Sequence, residues 1–387
     1  LRADGPLTRT RLGNWVSTSH AVCGQVLRDR HFGVQPDGQN TPGASGLSFL
    51  ELNPPDHTRL RRLVAPAFSP RQTADWADLV DRTVHRLIDE LPRTGCVDLV
   101  SSFAAALPIA VITDLLGVPN THSEHFARYG ATIGSALDGV KSVRHARALM
   151  DAHAALTRLF DELFELRRCD PADDVLSKIV AAEGEVITGA EMVPLCILLL
   201  IAGFETTVNL IANGVLALLD HPGQWAALCA DPALAAQATE EVLRYDAPVQ
   251  RTGRYALADV DLDGTAVRKG QFVFTLIGAA NRDPAVYVAP DTFDITRTPA
   301  VEHLAFSSGI HYCLGAPLAR LEATAAFAAL AQRLPDLQRA GRVVRRNAAT
   351  IRGPLHLPVS LDARRNRSRF PRGSAAGSRQ HPYPLKT

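Results

Sequence analysis

Cys313 stands at the start of a segment of helical period, inside the run Phe306-Ser307-Ser308-Gly309-Ile310-His311-Tyr312-Cys313-Leu314-Gly315. A thiol at a helix start meets the positive end of the dipole and free N–H groups, a setting that favours thiolate over thiol. Gly309 and Gly315 let the backbone turn tightly and aim amides at the sulfur. A thiolate so held suits one bond to a soft or borderline metal. The plainer reading is a structural cysteine buried on a turn. His303 and His311 add nitrogen donors, but His311 lies too close to Cys313 for usual zinc spacing and a fourth ligand is lacking.

Three further groups could do chemistry. Ala202-Gly203-Phe204-Glu205-Thr206-Thr207 places an acid and hydroxyls beside the apolar run Met192–Phe204, where burial without partners is costly. Alternatively, Thr206 bonds its own i−4 carbonyl and Glu205 sits at a surface step. Glu241 and Arg244 are three apart and share a helix face, a spacing that more often marks a solvated pair. In Asp56-His57-Thr58-Arg59-Leu60-Arg61-Arg62, His57 and Arg61 are four apart on one face, a donor array that suits carboxylates. For Arg59 and Arg62 we expect an ordinary basic surface.

The elements that must hold these groups are mostly helical. Asp75–Leu91, Val143–Leu166, Pro171–Ala182 and Gly315–Leu334 carry apolar residues three and four apart. Thr188 and Glu191 fit a capping box opening an apolar helix that extends to Asp220, with a kink expected at Pro194. Asp231-Pro232 opens a helix to about Tyr245. Strands are short and clustered: a hairpin over 7–18 around Gly13, two runs in Arg254–Val267 joined at Asp263-Gly264, then Phe272–Ile277 and Val343–Leu361.

Composition agrees with one large globular unit. Of 387 residues, 46% are hydrophobic and 21% charged, which excludes wholesale disorder. Net charge is +1, so no global field points to nucleic acid or membrane. Residues 362–387 hold seven basic side chains and one acid without apolar periodicity, and we expect a disordered basic tail after a domain spanning 1–361. Six scattered cysteines without a CxxC favour a reducing compartment. No signal-peptide core opens the chain, and Met192–Phe204 is too short to span a bilayer. A cytoplasmic protein without a membrane anchor is expected. The first residue is Leu1 rather than Met, which leaves room for natural sequence upstream.

Taken in order, these segments resemble the cytochrome P450 family from about residue 5 to 361. The cysteine run matches the haem-ligand loop F-G-x-G-x-H-x-C-x-G, with Ser307 replacing the first glycine, and continues into Ala316-Pro317-Leu318-Ala319-Arg320. Ala280-Asn281-Arg282-Asp283-Pro284 matches another family segment, to which we give a structural role.

The resemblance implies a mainly α fold, a large helical domain with small β-sheets. Haem b would lie between the long helix and the cysteine helix. Cys313 would be the iron ligand, with Gly315 beside it, its electron donation favouring O–O cleavage. Ala202 and Gly203 would line the distal side, Gly203 thinning the helix wall to admit a diatomic ligand. Thr206 would hydrogen-bond dioxygen and Glu205 relay protons. His57, Arg61, Arg254 and His311 would meet the haem propionates. Arg297 would join Glu241 and Arg244 in a buried network bracing the cysteine loop, where deleting one member costs ~3–5 kcal/mol.

The implied reaction inserts one oxygen atom of dioxygen into a small, largely apolar organic substrate. Electrons would come from NAD(P)H through a ferredoxin reductase and ferredoxin, and Arg59 and Arg62 offer an alternative use as a dock for an acidic donor. Residues 33–50 would roof the pocket as a lid, with Leu199, Val249 and Gln250 at its side. Two rival readings are a peroxygenase or rearranging haem-thiolate enzyme, against which Glu205 and Thr206 weigh, and a catalytically impaired haem- or ligand-binding protein, which Ser307 keeps open.

Overall fold

The structure is a computed structural model that describes residues 1–39, 47–119, 123–298 and 300–362. The tail beyond Asp362 and the middle of the expected lid lie outside the described residues. Thirteen α-helices are described: α1 His20–Arg28, α2 Asp56–Val64, α3 Pro70–Asp75, α4 Ala77–Asp89, α5 Ala106–Leu116, α6 Ser123–Gly134, α7 Val143–Cys169, α8 Val175–Ala181, α9 Gly189–Asp220, α10 Pro222–Ala230, α11 Ala235–Tyr245, α12 Ile277–Ala280 and α13 Ala316–Arg333.

The strands are all short: β1 Leu7–Arg9, β2 Trp15–Ser17, β3 Phe32–Gly33, β4 Cys96–Asp98, β5 Thr252–Ala256, β6 Val260–Leu262, β7 Thr265–Val267, β8 Phe272–Thr275, β9 Gln338–Arg339, β10 Val344–Arg345, β11 Pro354–His356 and β12 Pro358–Ser360. The largest sheet runs β1-β2-β8-β5-β3, with β2 and β8 parallel and Trp15 opposite Val273. The hairpins at Gly13 and at Asp263-Gly264 form as expected.

The helix α9 organises the rest. Its N-terminus is closed by the reciprocal capping box, Thr188 Oγ1 donating to Glu191 Oε2 at 2.8 Å and the Thr188 N–H donating to the same carboxylate at 2.9 Å. It runs as one helix through Pro194. Apolar residues cover most of its circumference, so it must be enclosed by others, and Met192–Ile201 and Val208–Leu218 are largely buried. At 32 residues it is long and apolar enough to cross a bilayer, contrary to the length argument from the apolar run, but 83% of its apolar window is buried inside the protein and it is a core helix. Helix α13 lies close against it, the Phe327 ring filling the space that a side chain at Gly214 would need.

Two expected helices start later than their periodicity suggests. α8 begins at Val175 because Asp174 caps it, accepting from the Ser177 N–H at 2.7 Å. The α11 segment opens as a 3-10 turn over Pro232–Leu234 before becoming α-helical. All six cysteines are free.

Candidate functional site

The cysteine loop is held by its own backbone. The Cys313 N–H donates to the Phe306 carbonyl at 2.8 Å, Tyr312 N–H to Gly309 at 3.0 Å and Ser307 N–H to Leu304 at 2.9 Å. Gly309 is left-handed at φ +68°, and a Cβ there would run into the Leu27 carbonyl oxygen of α1. Only glycine fits. Ser307 is also left-handed, at φ +63°, a conformation that costs a non-glycine residue about 1 kcal/mol. Its buried hydroxyl oxygen has no hydrogen-bond partner.

Burial pushes the Cys313 thiol up, opposed by the N–H groups of Gly315 and Ala316 and by the charges of Arg61 and Arg320. Desolvation and the helix start thus act on this sulfur in opposite directions.

Around this loop four basic groups converge, with no acid beside them among the described residues. The rings of His57 and His311 lie 4.3 Å apart. Arg61 donates to the Tyr312 carbonyl at 2.7 Å, and Arg254, 5% exposed, donates to Gly253 O and Thr252 Oγ1. Both ring nitrogens of His57 and Nε2 of His311 are buried and unpartnered. Burial pushes His311 down to about 2 and His57 to about 4, with neighbouring arginines adding repulsion; burial alone takes Arg254 to about 10. Such a cluster needs an anion. The residues therefore fit a group bearing carboxylates at this spot and a metal that accepts a single thiolate.

In the middle of α9, buried on either side, Ala202 is exposed and Gly203 and Thr206 are half-exposed. This is an accessible strip in an otherwise buried stretch of the helix. The Thr206 hydroxyl donates to the Ala202 carbonyl at 2.9 Å, the local bond expected of a mid-helix threonine. The room does not come from Gly203, whose missing Cβ is replaced by Ile112 Cδ1 of α5. Glu205 is neither at the surface nor on the strip: it is 1% exposed, and Arg346 Nη2 lies 2.5 Å from its carboxylate. Of the pocket-side candidates, Leu199 is buried and Val249 and Gln250 are half-buried, Gln250 donating to Ala247 O at 2.7 Å.

The supporting networks are clear. Arg244 grips Glu241 through two bonds of 2.7 and 2.8 Å and donates to the carbonyls of Asn281, Pro290 and Thr292. Arg297 Nε stands 3.2 Å from the same carboxylate, completing the expected triad. His303 turns away from the sulfur, 3.2 Å from Glu240, which also binds Arg320 at 2.6 Å. Burial would raise Glu240, but these two partners outweigh it and hold it at about 2. Arg320 in turn stacks over Phe306 at 4.5 Å, buttressing the loop.

Arg59 is no free surface residue. It bonds Glu191, Asp56 and the Val186 carbonyl, tying α2 to the start of α9, while Arg62 is exposed as expected. Glu240, Arg320 and Arg346 were not among the sequence candidates. The first two were legible only as a helix-face charge and a motif neighbour, and Arg346 had no local signal.

A family profile described as Cytochrome P450 matches residues 233–335. The "Biotin biosynthesis cytochrome P450" of Bacillus subtilis (strain 168) is 38% identical over 351 residues, covering 87% of this chain and 88% of its own. Among solved structures, ligand-free Mycobacterium smegmatis CYP164A2 superposes with a TM-score of 0.85 at 40% identity, covering 93% of this chain and 94% of its own. P450BioI in complex with hexadec-9Z-enoic acid ligated acyl carrier protein superposes with a TM-score of 0.87 at 37% identity, covering 94% and 97%.

Proposed function

The chain belongs to the cytochrome P450 family of monooxygenases, and from that premise we propose that it inserts one atom of dioxygen into the hydrocarbon part of an acyl-chain substrate. The observation that carries the site assignment is the convergence of His57, Arg61, Arg254 and His311, unpaired by any acid, beside the Cys313 loop. Haem b, when bound, supplies the iron chemistry that activates dioxygen.

The chain's own residues hold and feed that group. Cys313 would ligate the iron through its sulfur, with the Gly315 and Ala316 amides and the Arg61 and Arg320 charges offsetting the cost of a buried thiolate. The four basic groups would take the two propionates, removing their mutual repulsion. Ala202 and Gly203 would line the open strip. Thr206 Oγ1 donates to Ala202 O and would turn its hydrogen from that carbonyl toward the strip to hand on a proton there, its lone pairs accepting the replacement. Glu205 would refill that proton only after its pair with Arg346 opens to water and the carboxylate takes a proton from solvent. The apolar body of α9 keeps bulk water from the strip and favours an alkyl chain.

Electrons would come from NAD(P)H through a ferredoxin and its reductase, and the working compartment would be the cytoplasm. The acyl class is supported by the complex that P450BioI forms with an acyl-loaded carrier protein. The test is the carbon monoxide difference spectrum of the reduced, haem-supplied protein, followed by a spin-state titration with hexadecenoic acid. A strongly red-shifted Soret band and a high-spin shift are expected. A band typical of histidine or neutral-thiol ligation would remove Cys313 from its role, and turnover with peroxide but not with ferredoxin and oxygen would replace the monooxygenase cycle.

A further inference from the structure

The turn before α7 and its N-terminal half carry an unusual surface. Val140, Val143 and Met150 are 63%, 73% and 72% exposed, a concentration of bare apolar side chains within eleven residues. Lys141, Arg144, Arg147 and Arg158 are exposed around them, and among the described residues none of the four has a carboxylate within ion-pair distance. Val143, Arg147, Met150, Ala154 and Arg158 recur at helical spacing, so apolar and basic groups share one outward stripe, with Asp151 as the single acid within 139–158.

The preceding helix α6 crosses α9 at two close approaches, Gly130 on Leu200 and Gly134 on Glu205, on the buried side of α9. The turn itself reaches the β10–β11 region, Lys141 Nζ donating to the Asn347 carbonyl at 3.4 Å. A partner docked on α7 would thus sit on the helix pair that packs against α9.

We propose that the N-terminal half of α7 and its preceding turn dock a small acidic carrier protein bearing an acyl chain on a thioester arm. Unpaired cations around an apolar centre complement an acidic helix with a few apolar residues, and such charge complementarity steers encounter and fixes register. The inference rests on the acyl-substrate reading given above, and the experiment separates the two.

The haem-loaded full chain is titrated with a hexadecenoyl-loaded bacterial acyl carrier protein, the same carrier without acyl chain, free hexadecenoic acid and phosphatidylglycerol vesicles, at low and high salt. Calorimetry and the spin-state shift are read together. The expected result is that the loaded carrier binds tighter than free acid, with salt weakening only the carrier. The R144E/R147E variant should lose roughly tenfold or more for the carrier and nothing for free acid. Equal binding of loaded carrier by variant and native protein overturns the docking surface while leaving the substrate class intact. Failure of both free and carried acyl chains to bind sinks the substrate class itself. Loss of vesicle binding in the variant, with no carrier binding by either protein, replaces the carrier with an anionic lipid surface.

Discussion

Arg346 Nη2 stands 2.5 Å from Glu205, and the pair holds this acid on the buried side of α9 while the adjacent Thr206 lies on the open side. A carboxylate with 1% exposure cannot lose such a partner cheaply. Arg346→Ala is expected to cost about 3 kcal/mol in urea denaturation, because it leaves a buried charge behind. Adding Glu205→Gln should restore part of that loss. Strictly additive effects of the two substitutions would show that the pair is not coupled.

Thr206→Ala should leave haem content and the reduced carbon monoxide spectrum unchanged. What falls is the yield of product per NAD(P)H consumed, because the proposed hydroxyl route for protons is gone. Cys313→Ala, by contrast, should abolish oxygenation together with the thiolate spectrum. Coupled turnover at the native ratio in the Thr206 variant would remove the threonine from the proton path.

The basic cluster gives opposite signs for the empty and the loaded protein. Arg254 is 5% exposed and has no acid partner, so Arg254→Leu relieves repulsion and desolvation in the empty chain. Its melting temperature without haem should hold or rise, while haem dissociates about tenfold faster. A fall in the melting temperature of the empty protein, with haem retention unchanged, would mean that Arg254 serves the fold and not the propionates.

Glu191 supplies a pH test. Hydrogen bonding to Arg59 lowers its carboxyl from 4.5 to about 2 in the folded chain. A depressed folded value contributes stability that is full above the ordinary carboxylate range and is lost as pH falls through about 4.5 towards about 2. Glu191→Gln should therefore cost about 1 kcal/mol near neutrality, a modest figure because the pair is partly exposed to solvent. The gap between variant and native melting temperatures should close across that window. A gap independent of pH would trace the loss to the cap alone.

What could be read in the residues depended on how far apart the partners lie in the chain. The Thr188 and Glu191 cap and the Glu241 and Arg244 grip are three-residue patterns, and both form as read. The lining residues of the cysteine loop came from a contiguous motif. By contrast, Arg59 was taken for surface because its partner Glu191 is remote in sequence, and Arg346 was passed over for the same reason. Helix α5 escaped notice because it is apolar on nearly every face, which erases the 3.6-residue period by which helices are recognised. At Cys313 the helix start was visible in the sequence, but the desolvation that opposes it belongs to tertiary packing.

The close approach of Gly309 to the Leu27 carbonyl sets an order of events during synthesis. The cysteine loop, bonded within itself, docks closely on α1, so a segment made near the end of translation closes on one made near the beginning. Sequence separation of that size slows closure and leaves the core helices exposed meanwhile. If Cys313 holds the haem as proposed, its capture waits for the part of the chain made last.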